Sequence, residues 1–591
     1  MLKRLSTMVL VLVLVPVLIN AQERVAKKAP IFFNEPSSTI ETFTQVKVGD
    51  GTVSAPWVAV DTMANAYGPA IAALNPIAYD PDADVVAVVY RGRTTYSLGS
   101  GQLWYSISTD GGAGWSRIAA VNNADLAARY PSMAIQNSGG GLDATTGLFT
   151  WPQLNPGAFG FLGYGAAQPL GDTQNPNFYA INQGPPDFSS QVPCWTSGTK
   201  FLWASDNGTD AAIDIFVTED FQTINKTTIP SSAFDDGGNI TMGGAHHNGI
   251  HYYGVLGTYP DPDTANPISS GWYPGYFKST DDFATYTTHV ADFRTIPALQ
   301  SYERLFDYKK GDAFVSYEAD INVDKNGYVH MMVALSDTNV ANKNSIVELF
   351  ETATGWDAKI VLESIPDNFF GAWFTADNSA GLGQMGPSHY LGMDKSKEYL
   401  FTAWSAPASP ADTVADIFYS WRKLDGEWST PVNITNSPNI NECGIHLAPT
   451  LKYDAGANEL TGFVGYWYGS GIEEPTFVTT GPTVFYVAPI KVEVPNSIYD
   501  GDNLITFELG QNYPNPFNPT TTINFTITEK SNVSLKVFDV LGREVMTLVN
   551  STKDAGPHQV SFDAGDLASG LYIYTIKAGN FTSSKKMMLM K

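Results

Sequence analysis

Hydrophobic residues along most of the chain occur in short runs that are separated by turn-forming residues. Val85 to Tyr90 and Tyr399 to Trp404 are almost continuously apolar, which is typical of strands that are buried on both faces. The run Tyr328 to Leu335 follows a Lys325-Asn326-Gly327 turn, and such a turn joins two antiparallel strands. The body of the chain shows no stretch with the spacing of an amphipathic helix, so the pattern predicts an all-β protein.

These runs recur in a unit of four strands. An apolar strand ends in a turn, a more apolar strand follows, an aromatic strand comes third, and a weak strand ends the unit. Clear copies cover 75–121, 319–362, 390–434 and 449–492, and weaker copies lie near 130–170, 190–230 and 240–293. About seven units of roughly 60 residues predict a β-propeller, with six blades as the alternative count and a pair of β-sandwiches as the alternative fold. We also expect Pro56 to Thr62 to close the ring as the outer strand of the last unit.

The chain begins with the features of a secretory signal peptide. Lys3 and Arg4 supply positive charge, Met8 to Ile19 is apolar, and Ala21 is a small residue before a cleavage position. The apolar run of about twelve residues is shorter than the ~20 residues that span a bilayer. We therefore expect the signal to be removed and the mature chain to have no transmembrane segment.

Residues 507–591 differ from the body, because apolar and polar positions alternate in Thr521 to Ile527 and in Tyr572 to Ile576. This alternation predicts a small β-sandwich behind a polar linker that is rich in turn-forming residues. The predicted divisions of the chain are a signal peptide (1–21), an N-terminal segment (22–54), the propeller (55–493), the linker (494–506) and the terminal module (507–591).

A proline-rich motif lies near the start of the terminal module and consists of Tyr513, Pro514, Asn515, Pro516, Phe517, Asn518 and Pro519. Because proline lacks a backbone N–H, we expect an extended segment there and not a central strand. With VFDVLGREV at 537–545 and DLASGLYIYTI at 566–576, the module resembles the type A C-terminal sorting domain of type IX secretion cargo. The resemblance implies the type IX secretion machinery as a partner. It also implies a secreted, extracellular protein that is released or attached to the outer-membrane surface.

One turn in the first unit carries a distinctive set of side chains, with Ser108, Asp110, Gly112 and Trp115 following an aromatic strand. Asp110 can accept hydrogen bonds from backbone N–H groups of the turn, Ser108 can add its hydroxyl, and Gly112 can adopt a positive φ. We expect Trp115 to fold back onto the blade. The spacing resembles the Asp box (BNR repeat) of sialidase-type propellers, in which it marks the fold and lies away from the active face. Further copies have Ser279 with Asp281 and Thr218 with Asp220.

The sialidase resemblance implies three arginines that bind a carboxylate, together with an Asp acid/base and a Tyr nucleophile. The arginines between the signal peptide and the terminal module are Arg24, Arg91, Arg93, Arg117, Arg129, Arg294, Arg304 and Arg422. Their positions do not single out a set of three, so the catalytic residues stay unassigned. The chain has 34 Lys and Arg residues against 59 Asp and Glu residues, a formal net charge of −25. This excess of acids weighs against nucleic acid as a partner and against the acidic sugars that a sialidase attracts.

Candidate metal-binding residues are His246, His247 and His251, and the acidic loops at 80–84 and 259–263. On a helix two of the histidines would share a face, but Asn248-Gly249 predicts a hairpin, which does not bring them together in that way. The loops offer the oxygen ligands that Ca²⁺ prefers, although such loops are commonly solvated turns. We therefore predict no metal and no cofactor, with Ca²⁺ at the acidic loops as an alternative that no further residue supports. Cys194 and Cys443 either form a disulfide or are two buried thiols.

Two classes of function fit these features. In the first, loops on one face of the ring bind an extracellular glycan or a surface protein. In the second, the same face carries a carbohydrate-active site, such as that of a sialidase-like glycoside hydrolase or a lyase. Aromatic residues, 13% of the chain, suit the stacking of sugars in both cases. We expect the exported binding protein and keep the enzyme as the alternative.

Overall fold

The structure is a computed structural model that describes most of the body and of the terminal module. The described residues are 57–63, 75–92, 101–122, 127–155, 158–172, 177–181, 192–206, 212–234, 239–260, 273–300, 313–337, 344–365, 389–407, 415–435, 442–469, 483–494, 507–512, 515–527, 530–553, 556–579 and 581–590. They belong to two compact units, Met1–Val492 and Glu493–Lys591. The predicted signal peptide, the N-terminal segment and nearly all of the predicted linker lie outside the described residues, as do Tyr513 and Pro514.

The described part of the first unit consists of sheets whose strands pair antiparallel except for β22 with β27, and β1 (Val58–Met63) is its earliest strand. The first three sheets contain β2 (Ile77–Asp80), β3 (Val85–Arg91), β4 (Leu103–Ser108) and β5 (Ser116–Ala120); β6 (Ser132–Asn137), β7 (Thr145–Asn155), β8 (Ala158–Ala167) and β9 (Asn177–Ile181); and β10 (Cys194–Ser197), β11 (Lys200–Asp206), β12 (Ile213–Thr218) and β13 (Asn225–Ile229). The next two contain β14 (Asn239–His247), β15 (Ile250–Gly257), β16 (Tyr273–Ser279) and β17 (Thr287–Val290); and β18 (Ala313–Val323), β19 (Val329–Asp337), β20 (Asn344–Thr352) and β21 (Gly355–Ile365).

The rest of the first unit forms one nine-stranded sheet, which consists of two halves. The sixth group of strands is β22 (His389–Asp394), β23 (Tyr399–Ala406), β24 (Asp416–Lys423) and β25 (Val432–Asn433), and the last is β26 (Cys443–Leu447), β27 (Thr450–Asp454), β28 (Glu459–Gly469), β29 (Thr483–Glu493) and β1. The halves are joined because β22 and β27 run parallel, with Met393 opposite Thr450. Short 3₁₀ turns among the described residues cover Leu142–Ala144, Ser231–Ala233, Phe293–Thr295 and Pro297–Leu299.

The first strands of successive sheets adjoin one another in a closed cycle. In this cycle β2 contacts β6, and the series continues through β10, β14, β18, β22 and β27, which contacts β2 again. β26 and β27 both pair with β28, so they together take the place of the first strand in the last group. The described residues thus form a ring of sheets around their first strands. This is the β-propeller architecture that the repeat predicts, and a pair of sandwiches would not give such a cycle.

The ring closes through a strand from the N-terminal side of the repeats. β1 pairs with β29 in antiparallel register, with Val58 opposite Val487 and Met63 opposite Thr483. The earliest described strand therefore supplies the outer edge of the last sheet, as the expectation for Pro56 to Thr62 states. Pairing between the two ends of the repeat array holds the ring together.

The core of the ring lies between the sheets. The seven residues of β3 are all buried, because its β-branched and apolar side chains face a neighbouring sheet on either side. Met63, Val88, Phe463 and Val487 belong to one cluster that joins the last sheet to the first. Similar clusters join the first sheet to the second, the second to the third, the third through the fifth, and the fifth to the sixth.

The terminal unit contains two sheets around a core of its own. Its strands are β30 (Glu508–Leu509), β31 (Thr520–Ile527), β32 (Ser531–Asp539), β33 (Glu544–Lys553), β34 (Gly556–Asp563), β35 (Gly570–Ala578) and β36 (Phe581–Leu589). β30, β31 and β34 form one sheet, and the order β33-β32-β35-β36 forms the other. Val533, Leu535 and Val537 alternate with polar neighbours and are buried, as the period-two pattern predicts. Among the helices of the described residues, none is long and apolar enough to cross a membrane.

Candidate functional site

The first strands of the seven groups enclose a cavity of about 440 Å³ in the middle of the ring. Every one of these strands contributes lining residues. The polar lining residues include Asp80, Asn137, His246, Asp320, Asn322, Lys395 and Lys397. Met133, Met242 and Ile321 add apolar surface. A concave space with a few convergent polar groups among apolar ones has the character of a small-molecule site.

The two ends of the cavity differ in the way that the strands are joined. Because the strands of each sheet alternate in direction, the turns from first to second strand all lie at one end of the ring, which we call the turn end. At the opposite end, the connection end, strands are joined by longer links, among them 258–272, 291–312 and 366–388. Most residues of these links lie outside the described part of the chain.

An aspartate at the end of β22 holds the turn that follows it. Asp394 Oδ1 accepts hydrogen bonds from the N–H groups of Glu398 and Tyr399 at 2.9 and 2.8 Å. Its Oδ2 accepts bonds from the N–H of Ser396 at 2.9 Å and from the Ser396 hydroxyl at 2.5 Å. This turn is therefore a fixed platform for Lys395 and Lys397. An aspartate that binds turn N–H groups recurs at Asp80, Asp324 and Asp454.

The turn 395–398 bridges the turn end of the cavity through its two lysines. Lys395 Nζ lies 3.3 Å from Asp80 Oδ2 and 2.5 Å from Asp82 Oδ2, both in the first sheet. Lys397 Nζ donates a hydrogen bond to the backbone oxygen of His246 in the fourth sheet. One turn of the sixth group thus contacts sheets on both sides of the ring.

Lys397 is unusual in both its conformation and its charge. Its φ is 59°, which places a residue with a long side chain in the left-handed region. Burial lowers the pKa of Lys397 to about 8, although the charge of Asp324 opposes this change. Burial therefore disfavours the charged form of the Lys397 ammonium, which the backbone oxygen of His246 and the charge of Asp324 help to stabilise.

Two further titratable groups line the same cavity. Burial raises the pKa of Asp320 to about 7, although its carboxylate accepts hydrogen bonds from the N–H groups of Leu391 at 3.0 Å and Ile321 at 2.8 Å. Burial, followed by the charge of Lys397, lowers the pKa of His246 to about 4. His246 is therefore a neutral imidazole at neutral pH, whereas Asp320 holds its proton to a much higher pH than an ordinary aspartate.

The sequence patterns single out His246 only as a candidate metal-binding residue, and they do not identify Asp320, Lys395 or Lys397. A signal for the lysines is present, because Lys395-Ser396-Lys397 puts two cations in one turn of a strongly acidic body. The fold brings them to the cavity by placing the ends of the first strands side by side. Asp320 has no local signal, since its environment comes from β22 of the neighbouring group.

The Asp-box candidates lie at the turn end, between third and fourth strands. Ser108 Oγ donates a hydrogen bond to Asp110 Oδ1 at 2.7 Å. Ser108 Oγ in turn accepts a bond from the N–H of Gly112 at 2.9 Å, and Asp110 Oδ1 accepts one from the N–H of Gly114 at 2.8 Å. Gly112 has a φ of 88°, and Trp115 packs against the cluster of the last and first sheets. The copy at Ser279 and Asp281 repeats these bonds. The turns hold their own backbone and stay candidates for the Asp box.

Two of the arginines expected for a carboxylate clamp, Arg117 and Arg422, pair with carboxylates of the chain itself. Arg422 is buried and binds Glu348 between the fifth and sixth sheets, so it is not available to a ligand. Arg117 lies 3.4 Å from Asp61 of β1. Arg91 is also buried. Arg24, Arg93 and Arg304 lie outside the described residues.

The histidine hairpin forms as predicted, and it pairs two of the three histidines across its strands. His246 is directly opposite His251 on β15, and Asn248 and Gly249 make the turn. His251 Nε2 lies 3.0 Å from Asp282 Oδ1. Within the described residues no group of three or more His, Cys, Asp or Glu side chains is arranged to hold a metal ion. Cys194 is a free, buried thiol, and burial raises its pKa to about 12.

The terminal unit has its motif fastened to its last strand. Asn515 Oδ1 accepts a bond from the N–H of Met588 at 2.8 Å, and Phe517 exchanges backbone bonds with Met588 and Met590 at 2.9 and 3.0 Å. Phe517 is buried in the core of the unit. Phe517 thus lies beside β36 and forms a parallel bridge with Leu589, whereas Asn515 and Pro516 form a bend and not the extended segment that the prolines predict.

Residues 511–590 match the protein family described as "Secretion system C-terminal sorting domain". The match confirms the resemblance of the terminal module to a type IX sorting domain and indicates that the protein is secreted or displayed at the cell surface. No curated protein sequence matches the chain.

Solved structures that the chain resembles include carbohydrate-active enzymes. The α-L-arabinofuranosidase Arb93A from Fusarium graminearum has 12% identity and a TM-score of 0.37, covering 64% of this chain and 99% of that one. An α-L-arabinanase from Penicillium chrysogenum has 11% identity and a TM-score of 0.34, covering 61% and 93%. A sialidase from Trypanosoma rangeli has 9% identity and a TM-score of 0.34, covering 80% and 84%. TM-scores this low do not carry an activity from one protein to another.

Proposed function

We propose that this exported protein binds a carbohydrate in the central cavity of its ring. The observation that carries the proposal is the lining of that cavity, in which first strands from every sheet place hydrogen-bonding side chains around one space of about 440 Å³. A space of this size suits one or a few sugar units better than the flat surface of a protein. A protein ligand is the alternative within the same class of function.

The mixture of groups supports a hydroxyl-rich ligand. Asn137 and Asn322 offer amide donors and acceptors, Asp320 offers carboxyl oxygens, and Lys397 offers ammonium protons. Met133 and Met242 provide adaptable apolar surface for the C–H faces of a sugar ring.

A glycan array followed by titration calorimetry tests the proposal on the chain without residues 1–21. The Lys397→Met change should weaken binding of a glycan that the array identifies by roughly 10- to 100-fold, because it removes a charged donor. Lys491→Met is the matched control, since Lys491 is exposed and paired with Glu459 on the last sheet. If no glycan binds, or if both variants bind like the wild type, the cavity is not the site.

Asp320 favours a second candidate, a glycoside hydrolase. A carboxyl whose pKa is raised to about 7 in a cavity wall is protonated often enough to act as a general acid at neutral pH. In that case Asp320→Asn should lower hydrolysis of the bound glycan by ~100-fold or more while binding remains. Binding without turnover in the wild type would leave the binding protein as the function.

A further inference from the structure

Exposed large hydrophobic side chains are concentrated in the terminal unit. Among the described residues they are Val432, Val540, Leu541, Met546, Met588 and Met590. Five of these six lie in the terminal unit, although it is much the smaller of the two. Val540 and Leu541 are the most exposed, at 64% and 75%. An apolar surface that a small domain leaves uncovered is typical of a contact with another molecule.

The register of the four-stranded sheet places these five residues towards one of its ends, where Met546 on β33 is opposite Val537 on β32. Asp539, the last residue of β32, is opposite Tyr572, the third residue of β35. Leu571 is in turn opposite Met588 near the end of β36. The turn 540–541 and the end of β36 are therefore two strands, or roughly 10 Å, apart. We call Val540, Leu541, Met546, Met588 and Met590 the apolar end patch.

The turn that carries Val540 and Leu541 is rigid. Asp539 Oδ1 accepts bonds from the N–H groups of Leu541 at 2.9 Å and Arg543 at 3.0 Å. Backbone bonds also join Asp539 to Gly542 and Arg543, and Gly542 has a φ of 77°. An exposed leucine on a pre-ordered turn loses little conformational freedom when it binds a partner.

The other side of the patch is fixed by the proline-rich motif. Asn515 and Phe517 bind the backbone of Met588 and Met590, so they set the position of the last strand. This gives the motif a physical task, which is to present the methionines at the end of β36. The motif and the C-terminal strand are then two parts of one surface.

Basic side chains border the patch. Arg543 is 74% exposed and lies 2.7 Å from Asp539, and Lys586 is exposed on β36. A partner that covers the patch would need apolar residues at its centre and carboxylates at its margin.

We propose that the apolar end patch is the surface by which the sorting domain docks onto a component of the type IX secretion machinery. The family match of residues 511–590 favours the secretion machinery as the partner of the patch, because a sorting domain has to be recognised by the export apparatus. A second copy of the chain is the competing occupant. The inference does not depend on what the ring binds.

The test is an export assay with the full chain in a bacterium that carries type IX secretion. The double variant Val540→Ser with Leu541→Ser should lower the fraction of protein at the surface and in the medium by at least about ten-fold, with accumulation in the periplasm. Met588→Ser with Met590→Ser should give a similar loss from the other side of the patch. The matched control is Val432→Ser, which removes an exposed apolar residue of the ring and should leave export unchanged.

Two measurements separate recognition from folding and from self-association. The purified variants should keep the thermal unfolding midpoint of the wild type, because the substituted side chains are exposed. Export of both double variants at the wild-type level overturns the proposal. A patch that serves self-association would show as a wild-type dimer in sedimentation, a monomeric double variant and normal export.

Discussion

Arg422 on β24 and Glu348 on β20 form a buried ion pair with two bonds between the fifth and sixth sheets. Arg422 Nη2 lies 2.5 Å from Glu348 Oε1, and Nε lies 2.8 Å from Oε2. His330 Nδ1 and Trp428 Nε1 lie 2.6 and 2.8 Å from the same carboxylate. Burial alone would raise the pKa of Glu348, but the bond from His330 and the charge of Arg422 hold it at about 2. The carboxylate is therefore ionised, and its charge is balanced by its partners.

Removing one side of this pair should destabilise the ring strongly. Arg422→Met leaves Glu348 buried without its main counter-charge, which costs about 3–5 kcal/mol in the free energy of unfolding. Denaturation in urea measures the change. Lys491→Met, which breaks the exposed pair with Glu459, should cost less than about 1 kcal/mol. Equal effects from the two variants would contradict a buried and fully paired Glu348.

Asp320 should make stability fall as the pH rises. Its pKa is about 7 in the folded chain against an ordinary value of 3.8, so the folded state holds the proton more tightly than the unfolded state. The resulting stabilisation is complete below about pH 4 and is lost as the pH rises towards 7. Asp320→Asn lacks this proton, so its unfolding midpoint relative to the wild type should increase over that range and then level off.

Asp110 provides the opposite sign for comparison. The bond from Ser108 and the N–H of Gly114 lower its pKa, so its contribution is present at neutral pH and disappears in acid. Asp110→Asn should therefore lose stability relative to the wild type as the pH rises from acid to neutral. Thermal unfolding at a series of pH values measures both variants, and parallel curves for the two would refute the assignments.

Ring closure should appear as an energetic coupling between Asp61 and Tyr90. Asp61 belongs to β1 in the last sheet, and its Oδ2 accepts a bond from the Tyr90 hydroxyl of the first sheet at 2.9 Å. A double-mutant cycle of Asp61→Ala and Tyr90→Phe should give a coupling of about 1 kcal/mol. In the control cycle, Tyr79→Phe removes a bond to Asp84 and should add to Asp61→Ala without coupling.

Gly163 should tolerate no side chain. It lies directly opposite Trp151 in the second sheet, and a Cβ would stand 1.9 Å from the indole nitrogen. Gly163→Ala should therefore cost about 1–3 kcal/mol or more through overpacking. Gly139→Ala, whose Cβ would meet only Ala144 at 3.9 Å, should be almost neutral in the same denaturation experiment.

Local patterns predicted much of the fold for a physical reason. An apolar run such as Val85 to Tyr90 indicates a strand that is buried on both faces, and the repetition of such runs indicates that similar four-stranded sheets stack on one another. The strand that closes the ring was predictable because a propeller needs a partner for its last edge. The length of the segments between apolar runs can also be read from the sequence, and it distinguishes the short turns from the long links.

The candidate site was less predictable, because its residues come from separate sheets. Asp320 and Lys397 have altered pKa values only because first strands from neighbouring groups surround them. The arginines show the reverse case. Arg422 is a candidate ligand-binding residue by its type, and the fold uses it instead to balance Glu348.

The sequence by itself determined the all-β character, the four-strand repeat and the sorting domain, since each depends on residue spacing or on a sequence motif within a single segment. Only the tertiary structure decided which turn crosses the cavity, which carboxylates are neutralised and which apolar residues of the terminal unit stay uncovered. These properties depend on distances between residues that are far apart in the chain, such as Lys395 and Asp80. Local sequence patterns do not reveal those distances, because the residues become neighbours only when the ring closes.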